Sequence, residues 1–379
     1  MVCRERSVGA RFSAGLVLCI LLIGGQSVSA AEVNRYLIDT GPLRIRDQFL
    51  LGMGFLGLDP VSADIVEKGK WQVDFIETVT NTWALSEVVE SALEGRSERG
   101  PVTLDQFRSL ESDQPDGGVF LVDGELYRTA VAVRRGLGKG VQFEVVLPIL
   151  SFQGGVFDSV VEDFHKAFGF SQVGRKGAPK DSFLIYSGSQ RGEFFLEGDP
   201  GLALGDVVLG VKFAVSKGSK LPRYKLALEA LVKLPTGEEE PLLSSGGTDL
   251  GTQLLLTRYY AKSCLHASLG LLYLDESKQL RTDTQLLPTG MVAWERSLGP
   301  KMSGLAQLTV SESPFRDLDL DELARATSQV TLGLKQVVRT KYVLFVGLTE
   351  NISTFNSSPD IGFHVGLTSI FGAEPALSQ

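Results

Sequence analysis

His266 and Ser268 alternate along the segment Ser263–Leu274 and are the residues that come nearest to a hydrolytic pair. The chemistry would be a serine hydroxyl activated by a neighbouring imidazole. No GxSxG motif is present to hold such a serine on a strained elbow, and two adjacent polar side chains on the inner face of a strand explain the spacing as well. The three histidines, His165, His266 and His364, fall in separate elements without ligand spacing, so no zinc site is expected. Asp317, Asp319 and Asp321 alternate like the start of a calcium loop, but Glu322 stands where the sixth position requires glycine. That stretch and Glu238–Glu240 read as solvated acidic loops or loose divalent contacts. Gly52–Gly57 matches GxGxxG, yet Pro60 follows closely and no helix start is visible, so it reads as a turn rather than a nucleotide site. No catalytic residue, metal or cofactor is expected.

A second set of residues could act through charge. The segment Arg223–Leu234, RYKLALEALVKL, places Tyr224, Leu226, Leu228, Ala230, Val232 and Leu234 on one face of a strand. Arg223, Lys225, Glu229 and Lys233 fall on the other. Extending that parity along the chain puts Arg128, Arg134, Lys212, Arg223, Lys225, Lys233 and Lys335 on one face, with Asp74, Glu144, Asp206, Glu229 and Glu295. If that face lines a lumen, the basic excess either guides small anions or closes into a network of ion pairs. The candidate binding residues are Arg128, Lys212, Arg223, Lys225, Lys233 and Lys335. His165 joins them if its helix folds inward.

The elements that would position these residues are strands. Alternating segments recur at Trp71–Val79, Leu126–Arg134, Val141–Leu150, Asp206–Val215, Arg223–Leu234, Asp249–Arg258, Ser263–Leu274, Leu286–Arg296, Lys301–Ser311, Thr327–Val338, Lys341–Thr349 and Ile361–Phe371. The links between them alternate long and short, starting long. Even strand number with alternating link length is the signature of an outer-membrane barrel with short periplasmic turns, and it predicts both termini in the periplasm. Trp71, Tyr224, Trp294, Tyr342 and Phe371 fall at one interface, and Tyr127 and Tyr273 at the other, as two aromatic girdles require. The expected fold is therefore a single all-β, up-and-down antiparallel transmembrane barrel of about 12 strands, spanning residues 71–371.

Residues 1–30 read as a secretory leader. Arg4, Arg6 and Arg11 precede a short apolar core from Leu16 to Ile23, and Val28-Ser29-Ala30 ends in small residues. The leader carries three Arg and one Glu, which leaves 34 basic against 44 acidic residues and a net charge of −10. That acidity argues against nucleic acid as a partner. Cys264 is the one cysteine left, so no internal disulfide can form. Residues 31–70 form an N-terminal segment at the periplasmic mouth or inside the lumen, and 372–379 a tail. Asp158–Phe168 reads as an amphipathic helix with Val160, Val161, Phe164 and Phe168 on one face. It either caps the barrel mouth or lines a ligand path.

The stretches GPLRIRDQF (Gly41–Phe49), DGELYR (Asp123–Arg128), FHKAFGFSQVGR (Phe164–Arg175) and LGDVVLGVKF (Leu204–Phe213) resemble those of a bacterial family catalogued as domain of unknown function 3187. The resemblance implies an outer-membrane location and no assigned activity; outer-membrane lipid and lipopolysaccharide are the expected partners. On these readings the chain is expected to be a channel or binding protein for small solutes, with small anions among the candidate partners. An outer-membrane lipid hydrolase resting on His266 and Ser268, or a structural or assembly protein of that membrane, are the alternatives.

Overall fold

The computed structural model describes residues 40–113, 118–169, 171–198, 200–215, 224–237, 242–318, 320–338, 341–352 and 357–372. The leader, the Ser216–Pro222 link, Arg223, Glu238–Glu240, Asp319, the side chains of Phe164 and Phe168, and the tail beyond residue 372 lie outside the described residues. In chain order the elements are β1 (Trp71–Leu85), α1 (Glu87–Glu94), α2 (Leu104–Ser112), β2 (Val119–Gly138), β3 (Val141–Gln153) and α3 (Asp158–Phe168). Then come β4 (Leu184–Ser189), β5 (Gly192–Glu197), β6 (Gly201–Leu204), β7 (Val208–Ala214), β8 (Tyr224–Lys233) and β9 (Asp249–Tyr259). The chain ends with β10 (Ser263–Leu274), β11 (Gln285–Gly299), β12 (Met302–Ser311), β13 (Thr327–Val337), β14 (Tyr342–Asn351) and β15 (Ile361–Phe371).

β1 pairs with β2 on one side and β15 on the other. β2 pairs with β3, β3 with β7, and β7 to β15 each pair with the next, all antiparallel. Twelve strands thus close into a barrel, one for each predicted segment. Closure is what lets strands cross lipid, because it leaves no backbone N–H or C=O unpaired along an edge.

Neighbouring residues show which solvent each face meets. Phe75, Leu254, Leu269, Leu332 and Val365 are exposed on the outside. The residues immediately before them, Asp74, Gln253, Ser268, Thr331 and His364, are buried inside. A water-soluble protein would invert this arrangement, whereas a lipid-facing wall requires it. Trp71, Tyr224, Trp294, Tyr342 and Phe371 lie toward the tight-turn end. There the Arg135 guanidinium sits 4.6 Å from the Trp71 ring centroid, and that of Arg258 4.9 Å from Tyr260 and 5.3 Å from Tyr224. Aromatic rings paired with cations mark the headgroup level. No helix among the described residues is long and apolar enough to cross a membrane.

Two strands outrun the sequence expectation. Alternation ends β1 at Val79 and starts β2 at Leu126, but the chain pairs on to Leu85 and from Val119. Beyond the lipid band both faces of these extensions are covered, so residues 80–85 and 119–126 are all buried and the alternation disappears. One face is covered by the apolar cluster around Phe49, Leu50 and Leu51, the other by α1, α2 and the β4–β5 hairpin. They bury Trp83, Leu85, Val89, Leu93, Phe107, Leu121 and Tyr186 in one apolar cluster, with the Phe107 and Tyr186 rings stacked at 4.3 Å. α3 belongs to the same cap. Its Val161 is buried and Val160 exposed, so the inward face is narrower than predicted. Arg175 ties the cap together. It donates to Asp158 at 3.2 Å, to Asn81 at 3.1 Å and to Asp360, and lies 5.2 Å from the Trp83 ring.

Candidate functional site

The barrel interior is occupied by the chain's own N-terminal segment. From Thr40 it enters at the tight-turn end and rises inside the wall to the long-link end. It reverses in a 3-10 turn at Leu50–Gly52 and descends to the start of β1. On the rising leg, apolar and charged residues alternate in LRIRDQ, and both kinds find partners on the wall. Leu43 enters a notch formed by the cross-strand pair Gly333 and Gly347, where a β-carbon on either would approach it within 3 Å. Ile45 packs with Ile76, Ala130, Leu305 and Phe345. Asp47 accepts from the Phe49 backbone at 3.0 Å and from Gln329 at 2.9 Å, which starts the turn.

The turn is held by Arg46, which donates to the carbonyls of Phe55 at 2.9 Å and Gly52 at 3.1 Å. A β-carbon on Gly57 would collide with that guanidinium. The GxGxxG stretch is thus the tip and return of a plug. The descending leg is fixed by its backbone. Leu56 N–H donates to Asp249 at 2.8 Å, Ala63 N–H to Thr257 at 2.9 Å and Val66 N–H to Gln142 at 3.0 Å. At the tip, Phe49, Leu50, Leu51 and Phe55 share an apolar cluster with Phe315, Leu318, Leu320 and Leu323 of the β12–β13 link. The acidic reading of that link attended to its aspartates, whereas its leucines fold inward over the plug.

The inward cations are where strand parity puts them, and most hold this hairpin. Lys335 donates to the Gly41 carbonyl and to Glu295 at 3.0 Å. Lys233 donates to the Gly54 carbonyl at 2.9 Å, to Ser245 at 2.6 Å and to Asp206 at 2.7 Å, and lies 3.3 Å from Asp249. Lys212 reaches the Ser62 carbonyl at 3.0 Å, with Glu229 at 3.8 Å. Lys225 binds Asp64 and lies 5.3 Å from the Tyr259 ring. From the plug side, Arg44 binds Glu144, Asp59 at 3.0 Å and Asp74 at 3.6 Å, and Asp74 also takes Arg134. Leaving any of these charges unpaired in the dry interior would cost several kcal/mol. The pairing follows from that cost.

Two of the candidate residues differ. His165 sits in the cap, its Nδ1 2.8 Å from the Ser171 carbonyl, not among the lumen cations. Its helix leaves the barrel wall after β3 and is anchored to neighbouring links. Arg128 is buried and faces the lumen, yet among the described residues it donates no hydrogen bond and joins no ion pair.

His266 and Ser268 are not assembled as a nucleophile and base. His266 Nδ1 lies 3.1 Å from the Thr257 hydroxyl, which accepts from Ala63 N–H and so has its own proton to give the ring. The imidazole is fully buried beneath the plug, out of reach of a lipid.

Among the described residues three cavities flank the plug, one of only about 10 Å³ beside Ile45, Gln48 and His364. A second, of about 40 Å³, lies between Arg44, Arg46, Asp59, Arg128, Asp206 and Lys233. The third, of about 80 Å³, is walled mainly by apolar groups including Phe55, Leu58, Leu272, Leu287 and Phe315.

The chain is similar in structure to the COG4313 outer-membrane channel of Pseudomonas putida F1, with 11% identity and a TM-score of 0.49. The alignment covers 83% of this chain and all of that one. It is similar to the NanC porin at 8% identity and a TM-score of 0.40, over 64% and 93% of the two chains. Outer membrane phospholipase A from Escherichia coli matches at 9% identity and 0.33, over 80% and 90%. No curated protein sequence matches this chain. The model of a family described as a protein of unknown function (DUF3187) matches residues 112–371, and the chain belongs to that family.

Proposed function

We propose that the protein is a gated channel for small solutes in the bacterial outer membrane, and that the hairpin from Gly41 to Val66 is its gate. In this reading the tight turns and both termini face the periplasm, and the cap faces lipopolysaccharide. The supporting observation is how the hairpin is held. Along its legs the wall grips it through lysine ammonium groups on backbone carbonyls and side chains on backbone N–H groups. Each ammonium contact contributes about 1.5–3 kcal/mol net, and water entering the lumen must replace these together with the Arg44 pairs to Asp74 and Glu144. A hairpin held this way can leave without breaking a strand pair of the wall. The inward cations then serve first to seat the plug, and a path for solute exists only when it moves.

Conductance in a planar bilayer tests this. The full-length protein is expected to be mostly closed with rare openings, and a variant lacking residues 41–66 to conduct steadily. The deletion variant must first be shown to be a folded barrel by its altered migration on an unheated gel. If it is folded and conducts no more than the full-length chain, the channel reading is wrong.

A further inference from the structure

We infer that Arg46 and Arg128 form a binding site for a small oxyanion, a carboxylate or a phosphate, between plug and wall. Arg128 is 5% exposed, projects inward from β2 and lines the 40 Å³ cavity. Its five N–H groups have no acceptor among the described residues. A guanidinium cannot lose its proton in a protein, so burial leaves it charged and in need of an anionic partner.

The carboxylates that border the cavity each bind another group, although one Asp59 oxygen is left without a hydrogen bond. Asp59 takes Arg44 at 3.0 Å, Asp206 takes Lys233 at 2.7 Å, and Glu229 accepts from Gln253 at 2.6 Å with Lys212 beyond. Arg46 lines the same cavity from the plug side. Its donors go to backbone carbonyls, which satisfy hydrogen bonds but bring no negative charge. Four basic residues face three acidic ones across this cavity, and among the described residues neither Arg46 nor Arg128 joins an ion pair. The free fork of Arg128 beside the second positive charge of Arg46 suits an oxyanion. The volume holds roughly three waters at about 10–15 Å³ each, which suits inorganic phosphate or the carboxylate of a small acid.

The site spans the plug and the wall, so an anion bound there holds the gate shut and its loss loosens the tip. This inference rests on the reading of the lumen as a space that takes solute. Its test separates the two. The full-length protein in detergent is titrated calorimetrically with sodium phosphate and, separately, with sodium acetate, each at constant ionic strength set with sodium chloride. One saturable site for either anion is expected, and which anion binds identifies the class. Arg128→Gln should weaken it at least tenfold, and Arg128→Lys, which keeps the charge but not the fork, by less. Migration on unheated gels confirms that each variant is folded, and Arg128→Lys serves if the Gln variant is not. No binding of either anion by the wild-type protein, or unchanged binding by the folded variants, overturns the site. Binding without conductance would remove the channel and leave the site. Conductance without binding would remove the site alone.

Discussion

Leu43 fills the space that a side chain on Gly333 would need: a β-carbon there would stand 2.5 Å from Leu43 Cδ1. Gly333 lies in the wall and Leu43 in the plug, so this one contact sets how closely the two approach. Gly333→Val should push the rising leg inward while β13 keeps its pairing. Overpacking of this kind costs about 1–3 kcal/mol, and the cost falls on the plug because the wall is closed. Limited proteolysis should cut the variant between Gly41 and Val66 while the barrel still migrates as folded on an unheated gel. A plug as protected as in the wild type would mean that Leu43 has room to turn aside.

Lys233 stands between Asp206 and Asp249, all three buried. Lys233→Met removes the cation and leaves both carboxylates uncompensated, besides freeing the Gly54 carbonyl. Removing one member of a buried pair costs about 3–5 kcal/mol. The denaturant midpoint should fall accordingly, and adding Asp206→Asn should recover part of the loss. Full additivity of the two changes would show that the charges are not coupled.

The barrel was legible because lipid enforces strict alternation on every spanning strand, and each of the twelve segments overlaps one strand that closes the wall. The inward position of Lys212, Lys233 and Lys335 followed from the same parity. Their partners did not, because Lys212 meets Ser62 across 150 residues of sequence and Lys335 meets Gly41 across 294, and no periodicity records such a contact. The plug itself carries no strand or helix signal, since its backbone is satisfied by wall side chains rather than by a ladder. The extensions of β1 and β2 were invisible for the opposite reason: the helical cap covers one face and the plug-tip cluster the other, and alternation has nothing to report. The helices α1 and α2 fall in the first long link, where Val89, Leu93 and Phe107 alone carry the buried face and set up no readable period.

Leu323 is fully buried in the β12–β13 link, in the same cluster as Leu50 and Leu51 at the plug tip. Leu323→Ala should open a cavity over the tip at a cost of about 2–5 kcal/mol. The loss should be local, because among the described residues the link forms no ladder with a strand. Hydrogen exchange of the amides from Phe49 to Met53 should accelerate, with exchange in β13 and β14 unchanged. Acceleration throughout the barrel would instead make this link part of the wall's own stability.

Glu162 on α3 binds Arg99 and, at 3.1 Å, Lys180. Burial pushes its carboxyl up, but the two cations outweigh burial and hold it below the ordinary carboxylate range. A carboxylate with a depressed value in the folded state stabilises it above the unfolded value, about 4.3. That stability is lost as pH falls through the folded value. The attachment of α3 to the links around it should therefore be constant from neutral pH down to about 5 and weaken below about 4. Glu162 is partly exposed and its pairs are screened, so the effect should stay under about 1 kcal/mol. Hydrogen exchange of α3 amides, corrected for the intrinsic pH dependence, should show the acid-side loss in the wild type and none in Glu162→Gln, whose helix is looser at every pH. An equal acid-side loss in both proteins would place the titrating group elsewhere in the cap, with Asp158 and Asp360 around Arg175 as the next carboxylates to substitute.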